Sequence, residues 1–510
     1  MTPLMLWRWL FAGLISASGA KTMRKILKIV HIASEVAPFS KTGGLGDVAR
    51  SLPKSLSRLG HDVCLITPLY TKSINKTEYK LKLIFSNVKL RLNSDETIIV
   101  NYWQGQLLEN LPVYFIECGK YFSKHKALYG ASNENARFLV FDVAALKLLS
   151  LLKFEADIIH CHDWHTGLIP YYLKHDFRYS KTLKNAKTVF TIHNLVFQFG
   201  HNWWEVPAAE KDYGRGPIPH LDDPRLERIN FAKRAILSAD IINTVSEQYR
   251  SEIMTKKFGQ DLHQILRNRS DRLFGIVNGI DYYAYNPEKD QTLSNNFSWR
   301  NLSGKTENKF HLQKFFGLPI GRNIPVISMT SRITFQKGFE LMLKILPDLL
   351  NLEVQLIIIG TGDQKYISEL RKFARKFPKK LVVIPSHKAN QQYETQVYAG
   401  SDLLLLPSNH EPCGINQLIA MRYGCVPIVR EIGGLYDTVE DYNPATGRGN
   451  GFTFNREDPV DLFRAIIRAL ENYRNRSAWT KLVQRVMKQS NSWEIPAKKY
   501  IQLYRRVKHL

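Results

Sequence analysis

Five segments carry side chains whose types and spacing could do chemistry. The first is Lys41-Thr42-Gly43-Gly44-Leu45-Gly46-Asp47. Its glycines let the backbone approach a ligand closely, the helix that follows adds positive potential, and Lys41 adds a mobile cation. That combination suits a phosphate or a developing anion, although a plain strand-to-helix turn would use the same glycines. The spacing is neither G-x-G-x-x-G nor the P-loop pattern, which disfavours a dinucleotide site and an ordinary ATPase. The second, residues 331–338, holds Arg332 and Lys337, two cations that match a diphosphate or, alternatively, are solvated loop charges. The third is Ser408-Asn409-His410-Glu411-Pro412-Cys413-Gly414. Glu411 falls just after an apolar strand, where a carboxylate could hold sugar hydroxyls, stabilise an oxocarbenium-like centre, or cap the next helix. Cys413 reads as a small packing residue rather than a nucleophile. The fourth, residues 431–435, contains Gly433 and Gly434, whose amides could meet a second phosphate or a sugar hydroxyl, or simply turn the chain. The fifth, His160-Cys161-His162-Asp163-Trp164-His165, invites a metal reading. No partner Cys or Glu cluster accompanies it, so strand-end polar groups facing a ligand are the better reading, as for His193-Asn194.

Such loops need strands that end where the loops begin. Residues 27–33 (LKIVHIA) read as a buried strand, and Val48, Leu52, Leu56 and Leu59 then mark one helix face. Pro53 within that face argues against an unbroken helix, and Gly60 fits its end. Further strands are expected at 63–67, 156–160, 188–192 and 240–245. The pattern restarts at 324–330, 354–359, 381–384, 403–406 and 426–429. Strands alternating with helices predict parallel sheets covered on both faces, in an α/β fold of two doubly wound domains. The divisions expected are an N-terminal domain over 23–275, a second over 276–490 and a final helix over 491–510. Residues 1–22 contain a short apolar run, too short for a membrane-spanning helix, and are expected to be a disordered extension or an upstream start, with Met23 as the alternative first residue.

The length of 510 residues corresponds to about three domain-equivalents or two large domains. Hydrophobic residues at 44% and charged residues at 23% are the composition of a globular chain and exclude disordered, collagen-like and multi-span membrane classes. Lys and Arg number 71 against 46 Asp and Glu, a net +25. That charge predicts non-specific attraction to polyanions without naming a partner. The basic run at 371–380 reads as a solvated helix face rather than a nucleic-acid site, and no nucleic-acid motif accompanies it. Five scattered cysteines with no C-x-x-C give neither a disulfide framework nor a zinc site, so a reducing compartment, the cytoplasm, is expected, with no stable membrane anchor.

Taken together and in this order, the segments resemble the bacterial glycogen synthases and plant starch synthases that use ADP-glucose. The resemblance runs from about residue 28 to about residue 504. SEVAPFxKTGGLGDV lies at 34–48, HDWHxGL at 162–168, HN at His193-Asn194 and NGID at 278–281. SRLxxQKG lies at 331–338, with Ile333 for leucine, EPCG at 411–414 and GGLxDTV at 433–439. The resemblance implies two Rossmann-like domains facing across a deep cleft (the GT-B type), with the last helix crossing back to the first domain.

It also implies transfer of glucose from ADP-glucose to the non-reducing 4-hydroxyl of an α-1,4-glucan, with retention and with no metal or other cofactor. Arg332 and Lys337 are expected on the departing diphosphate, with Lys41 and the amides of Gly43 and Gly44 approaching it. Glu411 is expected against the glucosyl group, and His193 at its 6-hydroxyl or beside the anomeric carbon. Asp47, Asp163, Asn194 and Asn278 are expected near donor or acceptor hydroxyls, and Cys413, Gly414, Gly433 and Gly434 join the substrate-binding set. The sequence departs from the family where Asn409-His410 replace an arginine and an aromatic, where Asn416 replaces a threonine, and where Thr395 replaces a histidine. These changes leave the phosphate cations and Glu411 in place and bear on acceptor fit and rate. Two alternatives remain at this level: a related glucosyltransferase using UDP-glucose, and a non-catalytic glucan-binding protein.

Overall fold

The computed structural model describes residues 25–90, 92, 97–108, 110–123 and 127–509, so the expectation for residues 1–22 lies outside it. Apolar runs buried on both faces form the strands. VISMT, QLIII and LLLL are buried at every position, as strands of a sheet covered on two sides must be.

The first sheet contains β1 (Lys28–Ile32), β2 (Asp62–Pro68), β3 (Lys82–Leu90), β4 (Ile98–Leu108), β5 (Leu111–Glu117), β6 (Ile158–His162), β7 (Lys187–Ile192), β8 (Ile241–Thr244) and β9 (Leu273–Gly275). Their order is β3-β4-β5-β2-β1-β6-β7-β8-β9. The second contains β10 (Val326–Thr330), β11 (Gln355–Ile359), β12 (Leu381–Ile384), β13 (Leu403–Leu406), β14 (Val426–Arg430) and β15 (Phe452–Phe454), in the order β12-β11-β10-β13-β14-β15. Every pairing in the second sheet is parallel. The first sheet departs from the expected wholly parallel pattern, because β3, β4 and β5 pair antiparallel. The connection from Leu108 to Leu111 is too short to carry a helix, so a hairpin is the only way back. Strand β4 roughly alternates between buried and more exposed positions, and β3 is exposed or half-exposed along nearly all its length, unlike the apolar runs that mark the rest.

The helix Gly44–Arg58 runs through Pro53 without interruption and buries Leu45, Val48, Leu52 and Leu56. Gly60, at φ +87°, turns the chain out of it. Pro53 is thus tolerated inside a helix whose apolar face is held by packing.

Three apolar clusters form among the described residues, one around the first sheet and two on the second, the smaller of these holding Leu312, Val326, Ile357, Ile359 and Val397. The first takes in residues from Leu27 to Ile276, and the larger on the second sheet starts at Ile280 and ends at Met487. The last helix, Glu494–Lys508, returns to the first core through Ala497, Tyr500, Tyr504 and Val507. Tyr500 accepts from Asn243 at 2.9 Å, and Tyr504 bonds His160 at 2.7 Å. The two strands of chain that join the domains run side by side, with the Ile280 N–H donating to Asn491 O at 2.8 Å. A Cβ on Gly279 would lie 2.6 Å from Trp493 N, so this crossing admits only glycine.

Beside the crossing, Lys54 and Asp281 pair at 2.6 Å, with both side chains more than nine-tenths buried. Removing one partner of such a pair leaves a buried charge uncompensated. Lys54→Met should destabilise the protein by about 3 kcal/mol in denaturant unfolding, and the double variant Lys54→Met/Asp281→Leu should recover most of the loss.

Candidate active site between the two sheets

The loops singled out in the sequence all leave the carboxyl ends of parallel strands, where ligands of such sheets bind. On the first-domain side, Glu35 organises the glycine loop. Its buried carboxylate accepts from Thr42 N at 2.6 Å, Thr42 Oγ1 at 2.7 Å and Gly46 N at 3.1 Å. Burial raises its pKa, and these donors, with the Gly43 N–H, oppose the rise. The Thr42, Gly43 and Gly46 amides therefore face a protein carboxylate in this conformation. Lys41, also expected at a phosphate, is partly exposed and pairs with Asp47 at 2.8 Å. Gly44 faces the other domain, 3.4 Å from Ile415 once a Cβ is added.

Past β6 and β7, Asp163 holds the His193-Asn194 turn, accepting from His193 N at 2.7 Å and Asn194 N at 3.4 Å. It sits at φ 58°, a left-handed conformation that a non-glycine residue adopts under constraint. Burial lifts its carboxyl to about 7 against the two backbone donors. His193 Nε2 lies 3.0 Å from His162 Nδ1, and His162 Nε2 lies 3.0 Å from His31 Nδ1. Burial lowers His31 and His193 to about 3 and holds His160 and His162 below their usual range. Nitrogens of His31, His160 and His162 lie within 4.8 Å of one another, a spacing that could hold a metal ion. The donor set argues against that use. His160 already bonds Tyr504 and Thr191, His162 bonds His31 directly, and the cluster holds no carboxylate or thiolate.

On the second-domain side, Lys337 Nζ pairs with Glu411 Oε2 at 2.5 Å, and Ser408 Oγ donates to the same oxygen at 3.2 Å. Lys337 is one-sixth exposed and Glu411 less. Gly338 (φ +76°) lets the lysine loop pass 1.9 Å, measured from a hypothetical Cβ, from Pro407 O. Any side chain there would drive the two loops apart. Arg332 lies in the same loop and reaches only Gln336, at 3.4 Å. Cys413 is buried, its thiol pushed up to about 12 by burial, and Asn278 bonds its sulfur. That thiol is no nucleophile at neutral pH. Gly433 (φ +47°) would put a Cβ 1.9 Å from Glu411 O, so the glycine pair is required for the 411–414 loop to nest against it. The amides expected for a phosphate or hydroxyl are engaged: Gly434 N donates to Glu411 O at 3.1 Å and Gly433 N to Glu252 Oε1 at 2.9 Å.

That last bond crosses the domains, as does Gln248 N to Asp437 Oδ2 at 3.0 Å. Each domain thus supplies a carboxylate to a helix N-terminus of the other. A third bridge joins His410 Nε2 and Asn194 Oδ1 at 3.3 Å. His410 is one of the two residues, Asn409-His410, that replace an arginine and an aromatic; burial lowers it to about 4, so it meets Asn194 neutral. An opening next to the domain crossing is lined by Asp47, Arg50, Ser51, Asp281, Tyr285 and Trp493, among others.

The structure therefore brings Lys337, Glu411, Gly433 and Gly434 into one cluster, facing His193, Asn194 and Asp163 across the cleft. Asp47 lies at the neighbouring opening. Sequence reasoning passed over Glu35, His31, Glu252 and Glu394. Glu394 is a partly buried carboxyl raised to about 7, mainly by desolvation, and accepts from Tyr398 at 3.2 Å. The glutamate within the matched segment 34–48 was a signal for Glu35. Nothing in the local spacing points to the other three.

Residues 28–268 match the starch synthase catalytic domain family, and residues 313–485 match glycosyl transferases group 1. A glycogen synthase of Geotalea daltonii is 41% identical over 94% of this chain and 99% of its own length. That of Clostridium perfringens is 42% identical over 94% and 98%. The catalytic domain of starch synthase IV from Arabidopsis thaliana, solved with ADP and acarbose bound, superposes with a TM-score of 0.84 at 34% identity, covering 95% of this chain and all of that one. Sucrose-phosphate synthase from Thermosynechococcus elongatus, at 16% identity and a TM-score of 0.58, shares the fold.

Asp163 gives the site a pH signature. An unfolded aspartate titrates near 4, whereas native Asp163 holds its proton to about 7. Between those values the unfolded chain releases a proton that the native state retains, so this group's contribution to stability falls as pH rises through the window and is constant above it. Asp163→Asn keeps an oxygen for the His193 N–H and removes the titration. In denaturant unfolding, the variant should gain stability relative to the parent on going from about pH 4.5 to about pH 7.5. An equal difference at both pH values would contradict the assignment.

Proposed function

The chain belongs to the family of bacterial glycogen synthases and plant starch synthases, and on that premise we propose that it transfers glucose from ADP-glucose to the non-reducing 4-hydroxyl of an α-1,4-glucan such as glycogen, releasing ADP with retention at the anomeric carbon. The observation that carries this reading is the buried Lys337–Glu411 pair at the carboxyl end of the second sheet, opposite His193-Asn194 of the first.

As the glycosidic bond breaks, the leaving diphosphate gains charge. Lys337 and Arg332 are the cations of the second-domain side placed to meet it, and Lys41 reaches from the first domain. Cations aimed at a charge that develops during the reaction stabilise the transition state more than the ground state. Glu411, released from Lys337 when the diphosphate arrives, is left facing the glucosyl group, where a carboxylate stabilises positive charge at the anomeric carbon. His193 meets the 6-hydroxyl of that group. Enclosure between two domains keeps water from competing with the glucan hydroxyl. The reading needs no metal or other cofactor, and ADP-glucose is a substrate. Among the described residues no helix is long and apolar enough to cross a membrane.

The test is incubation of the purified protein with glycogen and either ADP-glucose or UDP-glucose, following nucleotide release and polymer growth. Growth with ADP-glucose in preference to UDP-glucose is expected, with a loss of about a thousandfold or more in kcat for Glu411→Ala, the scale of removing a preorganised stabilising group. Preference for UDP-glucose would change the donor. Glycogen binding without nucleotide release from either donor would replace the synthase with a non-catalytic glucan binder.

A further inference from the structure

His193 has one ring nitrogen to offer a ligand, because the other belongs to a row of imidazoles. The row crosses three adjacent strands: His31 on β1, His162 at the end of β6 and His193 just past β7. His193 Nε2 meets His162 Nδ1 at 3.0 Å, and His162 Nε2 meets His31 Nδ1 at 3.0 Å. The row ends inside the protein, where His31 Nε2 is buried and has no partner among the described residues.

Burial keeps the three rings neutral, so each carries one ring proton. Two hydrogen bonds among three neutral imidazoles force the protons to point the same way along the row, which leaves two arrangements. In one, His31 Nε2 holds a proton with no acceptor, and His193 shows a bare lone pair on Nδ1. In the other, His31 Nε2 is the bare lone pair, His31 Nδ1–H donates to His162 Nε2, His162 Nδ1–H donates to His193 Nε2, and His193 carries its proton on Nδ1. Buried N–H groups without an acceptor are rarer than buried acceptors without a donor, and that difference selects the second.

We propose that His162 and His31 are positioning residues that fix His193 as an Nδ1–H donor to a hydroxyl oxygen of the hexosyl group being transferred. A free imidazole in water prefers the proton on Nε2, so the row reverses the intrinsic preference of the ring that meets the sugar. The donor is built from neutral groups and stays a donor across the neutral pH range. The inference rests on the reading that His193 meets the glucosyl 6-hydroxyl, but its first test does not.

That test is long-range ¹⁵N–¹H correlation spectroscopy of the full chain labelled at histidine, with His193 assigned by comparison with His193→Gln. The expected result is a neutral His193 protonated on Nδ1, shifting towards Nε2–H in His162→Phe. His162→Gln should keep the Nδ1–H form, since its amide can accept from His31 and donate to His193. A His193 protonated on Nε2 in the parent protein overturns the proposal whether or not the protein is a synthase, and decides the matter even if His162→Phe fails to fold. The kinetic counterpart compares ADP-glucose with its 6-deoxy analogue. The parent should prefer the natural donor by about tenfold in kcat/KM, the scale of one hydrogen bond. That preference should fall towards unity in His162→Phe and persist in His162→Gln. A folded His162→Phe that retains the full preference would contradict the role assigned to the row.

Discussion

A lysine ammonium and a carboxylate held 2.5 Å apart at the tip of the second sheet set what the cleft can do. Both side chains are largely withdrawn from water, and each charge is stabilised by the other. The pair therefore answers a problem of electrostatics before it answers one of chemistry. On the proposed function, a diphosphate arriving beside Lys337 would supply a second anion and leave the carboxylate free to face positive charge on the sugar. The local backbone serves this placement. Gly338 lets the lysine loop lie against Pro407, and Gly433 lets the 411–414 loop nest against the turn after β14. Both are points where a single methyl group would push the two charges apart.

Carboxylates also organise the glycine-rich turns around the cleft. Glu35 gathers the amides of the Lys41 loop, Asp163 gathers those of His193 and Asn194, and Glu252 takes the amide of Gly433 from across the domain boundary. The amides of Thr42, Gly46, His193, Asn194 and Gly433 are therefore engaged in this conformation, and a phosphate reaching Gly433 would have to displace Glu252. Such an exchange couples donor binding to the relative position of the domains. The hinge on the far side stays fixed by the paired chain crossings at Ile280 and Asn491 and by the Lys54–Asp281 pair.

Much of this was legible in the sequence, because a parallel sheet writes itself as apolar runs followed by loops. The strands at 27–33, 156–160, 324–330 and 403–406 were of that kind, and their loops carry the site. The hairpin strands β3 and β4 were not seen, since β3 is exposed or half-exposed nearly throughout and β4 is only half buried, which resembles a polar stretch of coil. Glu411, Lys337 and His193 stand out in the sequence by their motifs, whereas the engagement of the glycine amides does not. The carboxylates that hold Gly46 and Gly433 lie 11 and 181 positions away, and no local spacing encodes a bond of that length. His31 illustrates the same limit: within β1 it reads as one polar residue in an apolar run, and only the pairing of β1 with β6 reveals its neighbours.

The most direct measurement is calorimetric titration of ADP into the parent protein and into Glu411→Gln, at matched ionic strength and with turnover recorded in parallel. If Lys337 exchanges Glu411 for the diphosphate, removing the carboxylate's charge removes its competitor, and Glu411→Gln should bind ADP several-fold more tightly while losing turnover. ADP affinity that is unchanged or weaker in the variant would show that the pair does not open when the nucleotide arrives, and would contradict the account of the cleft.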